Sequence, residues 1–311
     1  MKRSRSLVLA LLSVLALQGC GVKLAYNNLH RVVPWYVGSY IDLTPEQRRY
    51  LKLRVKKHMH WNRNTQLNRY AATLEGAARA VEVGLDAENL EDIIDEVKVH
   101  RDAMLDEILP TAAVLFISSS DEQLLEFAMR LDEANEERLE EESGDIEELR
   151  AAWEKDVQKS VKDLVGRLTP QQKLFIEERS REVRFEPEAQ VGFRRNWEGD
   201  FLRALAKRDD PVWFSERLAH MAHDYEEWYT DAYRIVEKRE DEFYRGLAVS
   251  MTALLTPMQK RKLMRWFLDL AQDLRELAAD ADVRPPKACV LEAALEDMCA
   301  LHQRVFGPPS L

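Results

Sequence analysis

The sequence predicts an all-α protein, arranged as an elongated bundle of long helices. Glycine and proline number only 11 each in 311 residues, so the chain offers few of the breaks that a β-rich fold needs. Hydrophobic residues make up 46% of the chain and charged residues 32%, which suits a folded protein with a buried core. From Thr44 onward apolar residues recur at the spacing of one helix face, and no stretch alternates as a strand does.

The first nineteen residues predict a secretion signal. Positive residues stand at positions 2, 3 and 5, and residues 7–17 form an apolar run too short to cross a bilayer as a helix. The run ends in Leu17-Gln18-Gly19-Cys20, which resembles the bacterial lipobox, where the signal is cut before a cysteine that then carries lipid. We therefore expect a signal peptide at 1–19 and lipidation, palmitate included, at Cys20. The alternative is an ordinary signal peptide with an incidental cysteine.

The residue after the cysteine bears on localisation. It is Gly21 and not aspartate, which resembles the Gram-negative pattern for sorting to the outer membrane. We expect a protein held on the periplasmic side of that membrane by its acyl chains. Without residues 1–19 the chain carries 42 basic and 55 acidic residues, a net charge of −13, which argues against nucleic acid as a general partner.

Residues 20–42 are predicted to be a lipid-anchored linker with an aromatic composition. Its aromatic residues are Tyr26, Trp35, Tyr36 and Tyr40, and Pro34 interrupts it. Two placements remain open. The rings pack onto the body of the protein, or they lie at the lipid headgroups, where amphipathic aromatic side chains are favoured.

The rest of the chain divides into a first helical region at 43–186 and a second at 187–306, with Pro187 as the best boundary. One continuous domain is the alternative. In the first region, an apolar stripe at residues 90–108 predicts a helix closed by Pro110. A helix capped by Ser119-Ser120 and stopped at Gly144 follows, and then a helix over 145–167.

In the second region, Asp210-Pro211 begins an apolar stripe that runs to residue 254 without an obvious stop. It predicts one helix of roughly 40 residues, about 60 Å long, with a bend near Gly246. The tail at 307–311 is rich in proline and glycine and is predicted to be disordered.

One pentad occurs three times: LTPEQ at 43–47, LTPQQ at 168–172 and LTPMQ at 255–259. Each copy reads as a helix start, with threonine as N-cap, proline in the first helical position and glutamine at the capping-box position three residues after the cap. We interpret the motif as structural. The helix-cap residues are Leu43, Thr44, Pro45, Gln47, Leu168, Thr169, Pro170, Gln172, Leu255, Thr256, Pro257 and Gln259.

Two resemblances follow from these motifs. Repeated LTxxQ in an all-helical periplasmic protein resembles the Spy/CpxP-like family, which implies a cradle-shaped protein linked to envelope stress or a chaperone that works without ATP. The opening run, from Cys20-Gly21 through Trp35-Tyr36 to Thr44 and Gln47, resembles an uncharacterised (domain-of-unknown-function) family of proteobacterial lipoproteins. That second resemblance implies place and fold and no mechanism.

Charge is segregated along the chain. Residues 48–69 hold eight basic residues and no acidic one, whereas residues 82–148 hold 23 acidic and four basic residues. Three interpretations remain open: the basic helix packs against the acidic helices, it meets anionic lipid or lipopolysaccharide phosphate, or it steers an unfolded client. The predicted basic face consists of Arg48, Arg49, Lys52, Arg54, Lys56 and Lys57.

No motif predicts catalysis or a cofactor. The sequence lacks the serine-hydrolase elbow, the phosphate-binding loop, the HExxH zinc signature and a CxxC pair. His220, His223 and Glu227 share a helix face at i, i+3 and i+7, which leaves a metal site as a minor alternative. Whether Cys289 and Cys299 form a disulfide also stays open, because ten residues of helix would hold them about 15 Å apart.

These observations predict a non-enzymatic outer-membrane lipoprotein that binds other proteins, a chaperone-like or stress-related role included. The first alternative is a structural or adaptor lipoprotein that docks a fixed envelope partner. The second is a metal-binding helical protein that uses His220 and His223.

Overall fold

Helices account for nearly all of the chain that the computed structural model describes, which comprises residues 20–280 and 296–307. No strand occurs within these two ranges, so the all-α prediction is confirmed. The predicted signal peptide at 1–19, Cys289 and residues 308–311 lie outside the described residues.

The described helices are numbered here in chain order. The first seven are α1 (Cys20–Asn27), α2 (Leu29–Val37), α3 (Pro45–Thr65), α4 (Leu67–Val83), α5 (Ala87–Ile117), α6 (Asp121–Glu142) and α7 (Ile146–Val165). The others are α8 (Pro170–Ser180), α9 (Pro187–Leu205), α10 (Pro211–His223), a 3-10 turn (Tyr225–Trp228), α11 (Asp231–Ala253), α12 (Pro257–Ala279) and α13 (Glu296–Phe306).

The predicted linker at 20–42 consists mostly of two helices that pack on the body. The Tyr26 hydroxyl donates to the Met59 carbonyl at 3.1 Å, and on α2 Leu29, Val33 and Val37 pack against the main core. Pro34 lies inside α2 and is buried, so it does not interrupt the segment. Packing onto the body holds for Tyr26, whereas Trp35 is 71% exposed and does not pack inward.

Helix α5 does not end at Pro110, as the sequence analysis predicted. It continues to Ile117 with the proline inside it. A proline in a helix interior costs about 3 kcal/mol, because it lacks the N–H that would pair with the carbonyl four residues earlier. Burial of the following turns outweighs this cost, since Ala113 and Val114 are almost fully inaccessible to solvent.

The predicted 40-residue helix at 211–254 is wrong. Helix α10 ends at His223, a 3-10 turn follows, and Thr230 caps a new helix by accepting from the Tyr233 N–H at 3.1 Å. The break turns Trp228 into the core, where its indole N–H donates to Asp200 at 3.0 Å. The chain then passes Gly246 inside α11.

The main core draws on both sides of Pro187. Its almost inaccessible members include Tyr50 and Val114 from the first region and Phe214 and Met221 from the second, and Met298 of α13 joins them. A second cluster surrounds Ile176 and Leu263, and a third surrounds Leu277. The regions 43–186 and 187–306 therefore share a core. In α13, Cys299 is disulfide-bonded.

Candidate functional site

The structure places all three pentads at helix starts. Thr44, Thr169 and Thr256 are N-caps with extended backbone, and each forms a capping box with the glutamine three residues later. The threonine hydroxyls accept from the glutamine N–H groups at 3.2–3.3 Å. In each copy the proline occupies the first helical turn, where its missing N–H has no cost.

Two of these helix starts bind each other through their glutamines. The Gln172 amide donates to Gln259 Oε1 at 2.7 Å, and the Gln259 amide donates to Gln172 Oε1 at 3.0 Å. Each amide also donates across the interface to a carbonyl two residues before the other cap, Leu254 at 2.9 Å and Arg167 at 3.0 Å. Both glutamines are buried, so the bonds are shielded from water.

The first pentad has a partner that the sequence analysis did not recognise. Ser120 caps α6, and Gln123 completes its capping box. Gln123 donates to Gln47 Oε1 at 2.8 Å, and Gln47 donates to Gln123 Oε1 at 3.3 Å. Here too each amide reaches the carbonyl two residues before the other cap, Ser118 at 3.2 Å and Asp42 at 2.5 Å. The same hydrogen-bond pattern therefore occurs twice.

We call these arrangements the first clasp (Gln47 with Gln123) and the second clasp (Gln172 with Gln259). Each ties together two helix corners far apart in sequence, by 76 residues in the first clasp and 87 in the second. Their atoms are engaged with one another and with main chain. The clasps therefore hold the helices in place and do not form a ligand site.

The predicted basic face is smaller than the sequence suggested. Arg54 is 6% exposed, and its Nε donates to the Thr111 hydroxyl at 3.0 Å between α3 and α5. Burial lowers the pKa of the Arg54 guanidinium, and the neighbouring Tyr50 and Glu107 act in the opposite direction. Lys57 is half-buried. Arg54 thus belongs to the interior and not to the surface.

The other four residues of the face are exposed along α3. Arg48, Lys52 and Lys56 follow each other at i, i+4 and i+8, and none of the three forms an ion pair within the described residues. Arg49 pairs with Glu46 in the first turn at 2.9 Å. The acidic helices do not neutralise this stripe, so the packing interpretation does not account for its charge.

A groove of about 570 Å³ lies between α4 and α5. Small residues of α4, namely Ala72, Gly76 and Ala80, line it at i, i+4 and i+8, and Ile93 of α5 lines it from the other side. Side chains this small let an incoming segment approach the helix backbone closely. The groove is open to solvent.

The rims of the groove carry opposite charges. Arg69 and Arg79 lie on the α4 rim, and Asp92 and Glu96 lie on the α5 rim. None of these four forms an ion pair among the residues that the structure describes. Charges that find no internal partner remain available to a bound molecule.

The N-terminal half of α5 adds apolar surface beside the groove. No residue of this helix before His100 is buried. The apolar stripe that predicted the helix is therefore only partly covered there, with Leu90, Ile93 and Ile94 half-buried and Val97 54% exposed. A helix of this kind normally buries such a stripe against a neighbour.

The histidines do not converge on a metal site. His220 contacts Asp224 and Glu227, each at 3.0 Å, whereas His223 lies 3.0 Å from Asp106 of α5. The two rings thus engage different carboxylates. In the described ranges no group of three or more ligating side chains could hold a metal.

A buried polar cluster joins α13 to α3 and α5. The Tyr50 hydroxyl lies 3.1 Å from His302 Nδ1, and His58 lies 2.7 Å from Glu107 and 2.8 Å from Thr111. Burial lowers the pKa of His302 to about 3, with the nearby positive charges acting in the same direction. Tyr50, His58 and His302 are buried, so these hydrogen bonds serve to hold the three helices together.

In the described part of the chain no single helix is both long and apolar enough to cross a bilayer, and α5 and α6 pass that test only as a pair bent by 119°. No curated protein and no solved structure matches the chain significantly. A protein-family match covers residues 39–234, which include the clasp residues Gln47, Gln123 and Gln172, the basic stripe and the groove. The chain belongs to this family, described as a family of unknown function (DUF6279).

Proposed function

We propose that the protein is a lipid-anchored outer-membrane lipoprotein that faces the periplasm and binds amphipathic segments of other proteins in the groove between α4 and α5. The observation that carries this proposal is the groove itself, with its floor of small residues, its partly covered apolar stripe and its unpaired rim charges. The anchor rests on the sequence alone, through Cys20 and the residues before it.

The occupant that fits this groove is an amphipathic helix. Its apolar face would lie on Ala72, Gly76 and Ile93, as in other helix-in-groove complexes. Acidic residues on one flank would meet Arg69 and Arg79, and basic residues on the other flank would meet the carboxylates of α5. The groove binds and releases such a segment without a chemical step.

The test uses two glycine substitutions. Gly76→Leu fills the groove, and a Cβ at this position would meet only the Arg79 guanidinium at an ordinary 3.7 Å. Gly192→Leu is the matched control on α9, where a Cβ would meet nothing within 4 Å. Leucine favours helix over glycine, so both variants should be more stable than the parent by about 0.5–1 kcal/mol.

Binding is measured with fluorescent amphipathic peptides of the stated charge pattern. Gly76→Leu should weaken binding about tenfold or more, which is about 1.4 kcal/mol, whereas Gly192→Leu should leave it unchanged. Equal affinities of the two variants would refute the groove as the site. Binding of several unrelated peptides would support a chaperone-like role, and selectivity for one would support the adaptor alternative.

A further inference from the structure

A second surface, distinct from the groove, is formed by the hairpin of α2 and α3. Arg48 of α3 lies beside Gly38, where a Cβ would be 3.6 Å from the guanidinium. At the other end of α2, His30 lies in the field of Lys52 and Lys56. The two helices therefore run antiparallel, and the exposed stripe of α3 extends along α2.

Helix α2 contributes exposed apolar residues to this surface. On its outer side Arg31 and Trp35 stand one turn apart, and Val32 is 46% exposed. Trp35 is 71% exposed, and of the seven tryptophans it alone is exposed. Leu24 of α1 adds a further side chain that is 67% exposed. An exposed tryptophan among unpaired cations is typical of a segment that lies at a lipid headgroup layer.

The electrostatics of the hairpin agree with an excess of positive charge. The pKa of His30 is lowered first by burial and then by Lys56, Arg31 and Lys52. In the part of the chain that the structure describes, Arg31, Arg48, Lys52 and Lys56 have no acidic partner. The surface is positive although the whole chain carries a net charge of −10.

We propose that the α2–α3 hairpin docks onto an anionic lipid bilayer, with Arg31, Arg48, Lys52 and Lys56 at the phosphates and Trp35 among the headgroups. Charge complementarity favours this occupant over an apolar one, and the exposed tryptophan favours lipid over an acidic protein. Cys20, the predicted site of the acyl chains, begins α1, and the hairpin follows α1 after a single residue, so such an anchor would keep the hairpin near the membrane. The docking fixes the orientation of the molecule on the bilayer, which a flexible tether would not do.

The experiment compares two double variants of the full chain that carry the same change in charge. Lys52→Gln/Lys56→Gln removes two cations from the hairpin. Lys155→Gln/Lys159→Gln removes two exposed cations at the same i, i+4 spacing from α7. Co-sedimentation is measured with vesicles of phosphatidylglycerol and phosphatidylcholine, and with vesicles of phosphatidylcholine alone. The N-terminal segment is the same in every sample, so its contribution cancels.

The parent should prefer the phosphatidylglycerol vesicles, and salt should weaken that preference. Each basic residue at an anionic surface contributes about fivefold to partitioning, so the hairpin variant should bind roughly 25-fold more weakly. The α7 variant should bind like the parent. Brominated lipid should quench the fluorescence of the parent more than that of Trp35→Phe.

Three outcomes would overturn the proposal. The first is equal binding of the parent to the two kinds of vesicle, and the second is an equal loss in both double variants. The third is hairpin-dependent binding to polyglutamate without any preference for anionic vesicles, which would identify an acidic protein as the partner. Circular dichroism of the variants checks that their helices are intact. None of these results depends on the groove, whose peptide assay is read separately.

Discussion

Replacing Gln172 by alanine should destabilise the protein by about 3–5 kcal/mol. The side chain makes four hydrogen bonds: it donates to Leu254 and Gln259, and it accepts from the Thr169 N–H and the Gln259 amide. A hydrogen bond contributes about 1 kcal/mol net, and a buried group left without a partner costs about 1–3 kcal/mol. Gln172 is fully buried, so water cannot replace the lost bonds without opening the second clasp.

Urea unfolding followed by circular dichroism measures this change. Gln272→Ala is the control, because that glutamine is exposed on α12 and its one side-chain bond among the described residues is to Glu276, one turn away. Its effect should stay within about 0.5 kcal/mol. Gln123→Ala in the first clasp should cost about 2 kcal/mol, since Gln123 is half-buried and water can reach the groups it leaves.

A double-mutant cycle separates the clasp from the cap. If Gln172 and Gln259 act through each other, the double alanine variant should be less destabilised than the sum of the single variants, by about 1–3 kcal/mol. Additive effects would show that each glutamine serves only its own capping box. A loss below about 1 kcal/mol for Gln172→Ala would contradict the reasoning altogether.

Three further predictions concern other elements. Burial lowers the pKa of His302 from 6.5 to about 3, so as the pH falls the unfolded chain takes up this proton before the folded chain does. The contribution of His302 to stability is therefore fully present above pH 6.5, and the free energy of unfolding falls by about 2 kcal/mol toward pH 4, after allowance for solvent screening. Urea titrations of His302→Gln should show a shallower pH dependence. Thr230→Ala should cost about 1 kcal/mol in thermal unfolding and speed amide exchange at Tyr233, whereas Thr65→Ala at an exposed helix end should change little. Cys20→Ser should release the protein from outer-membrane fractions washed at high salt, which screens the charges of the hairpin, and retention after that wash would contradict the predicted anchor.

Much of the fold could be predicted from the sequence, because helix starts have local chemistry. Threonine, proline and glutamine at fixed offsets act within one turn, so the starts of α3, α8 and α12 need no tertiary information. Two errors arose where tertiary burial outweighed local preference. Helix α5 continues through Pro110 because the next turns are core, and the stripe after Pro211 breaks because Trp228 turns inward.

The groove and the exposed extent of the basic face could not be predicted from the sequence, because both depend on which residues the fold buries. Periodicity identifies an apolar stripe on α5 but does not say which half of it finds a neighbour. Likewise Arg54 and Lys56 are equivalent in a charge count, yet one bonds to Thr111 in the interior and the other faces solvent. In both the apolar stripe and the basic face, the residues that stay exposed in the folded chain are the ones that support a proposed function.

The two clasps show which residues of the repeated pentad are needed for the paired hydrogen bonds. Ser120 and Gln123 reproduce the hydrogen bonds of Thr44 and Gln47 although that helix start lacks both the leucine and the proline. The paired hydrogen bonds therefore require a hydroxyl cap and a glutamine three residues later, and they do not require the leucine or the proline. A search for identical pentads finds three helix starts at unequal spacing, whereas a search for this pair of residues finds four that close into two similar units. The repetition is thus explained by pairing, since each glutamine amide bonds to a second glutamine across the clasp.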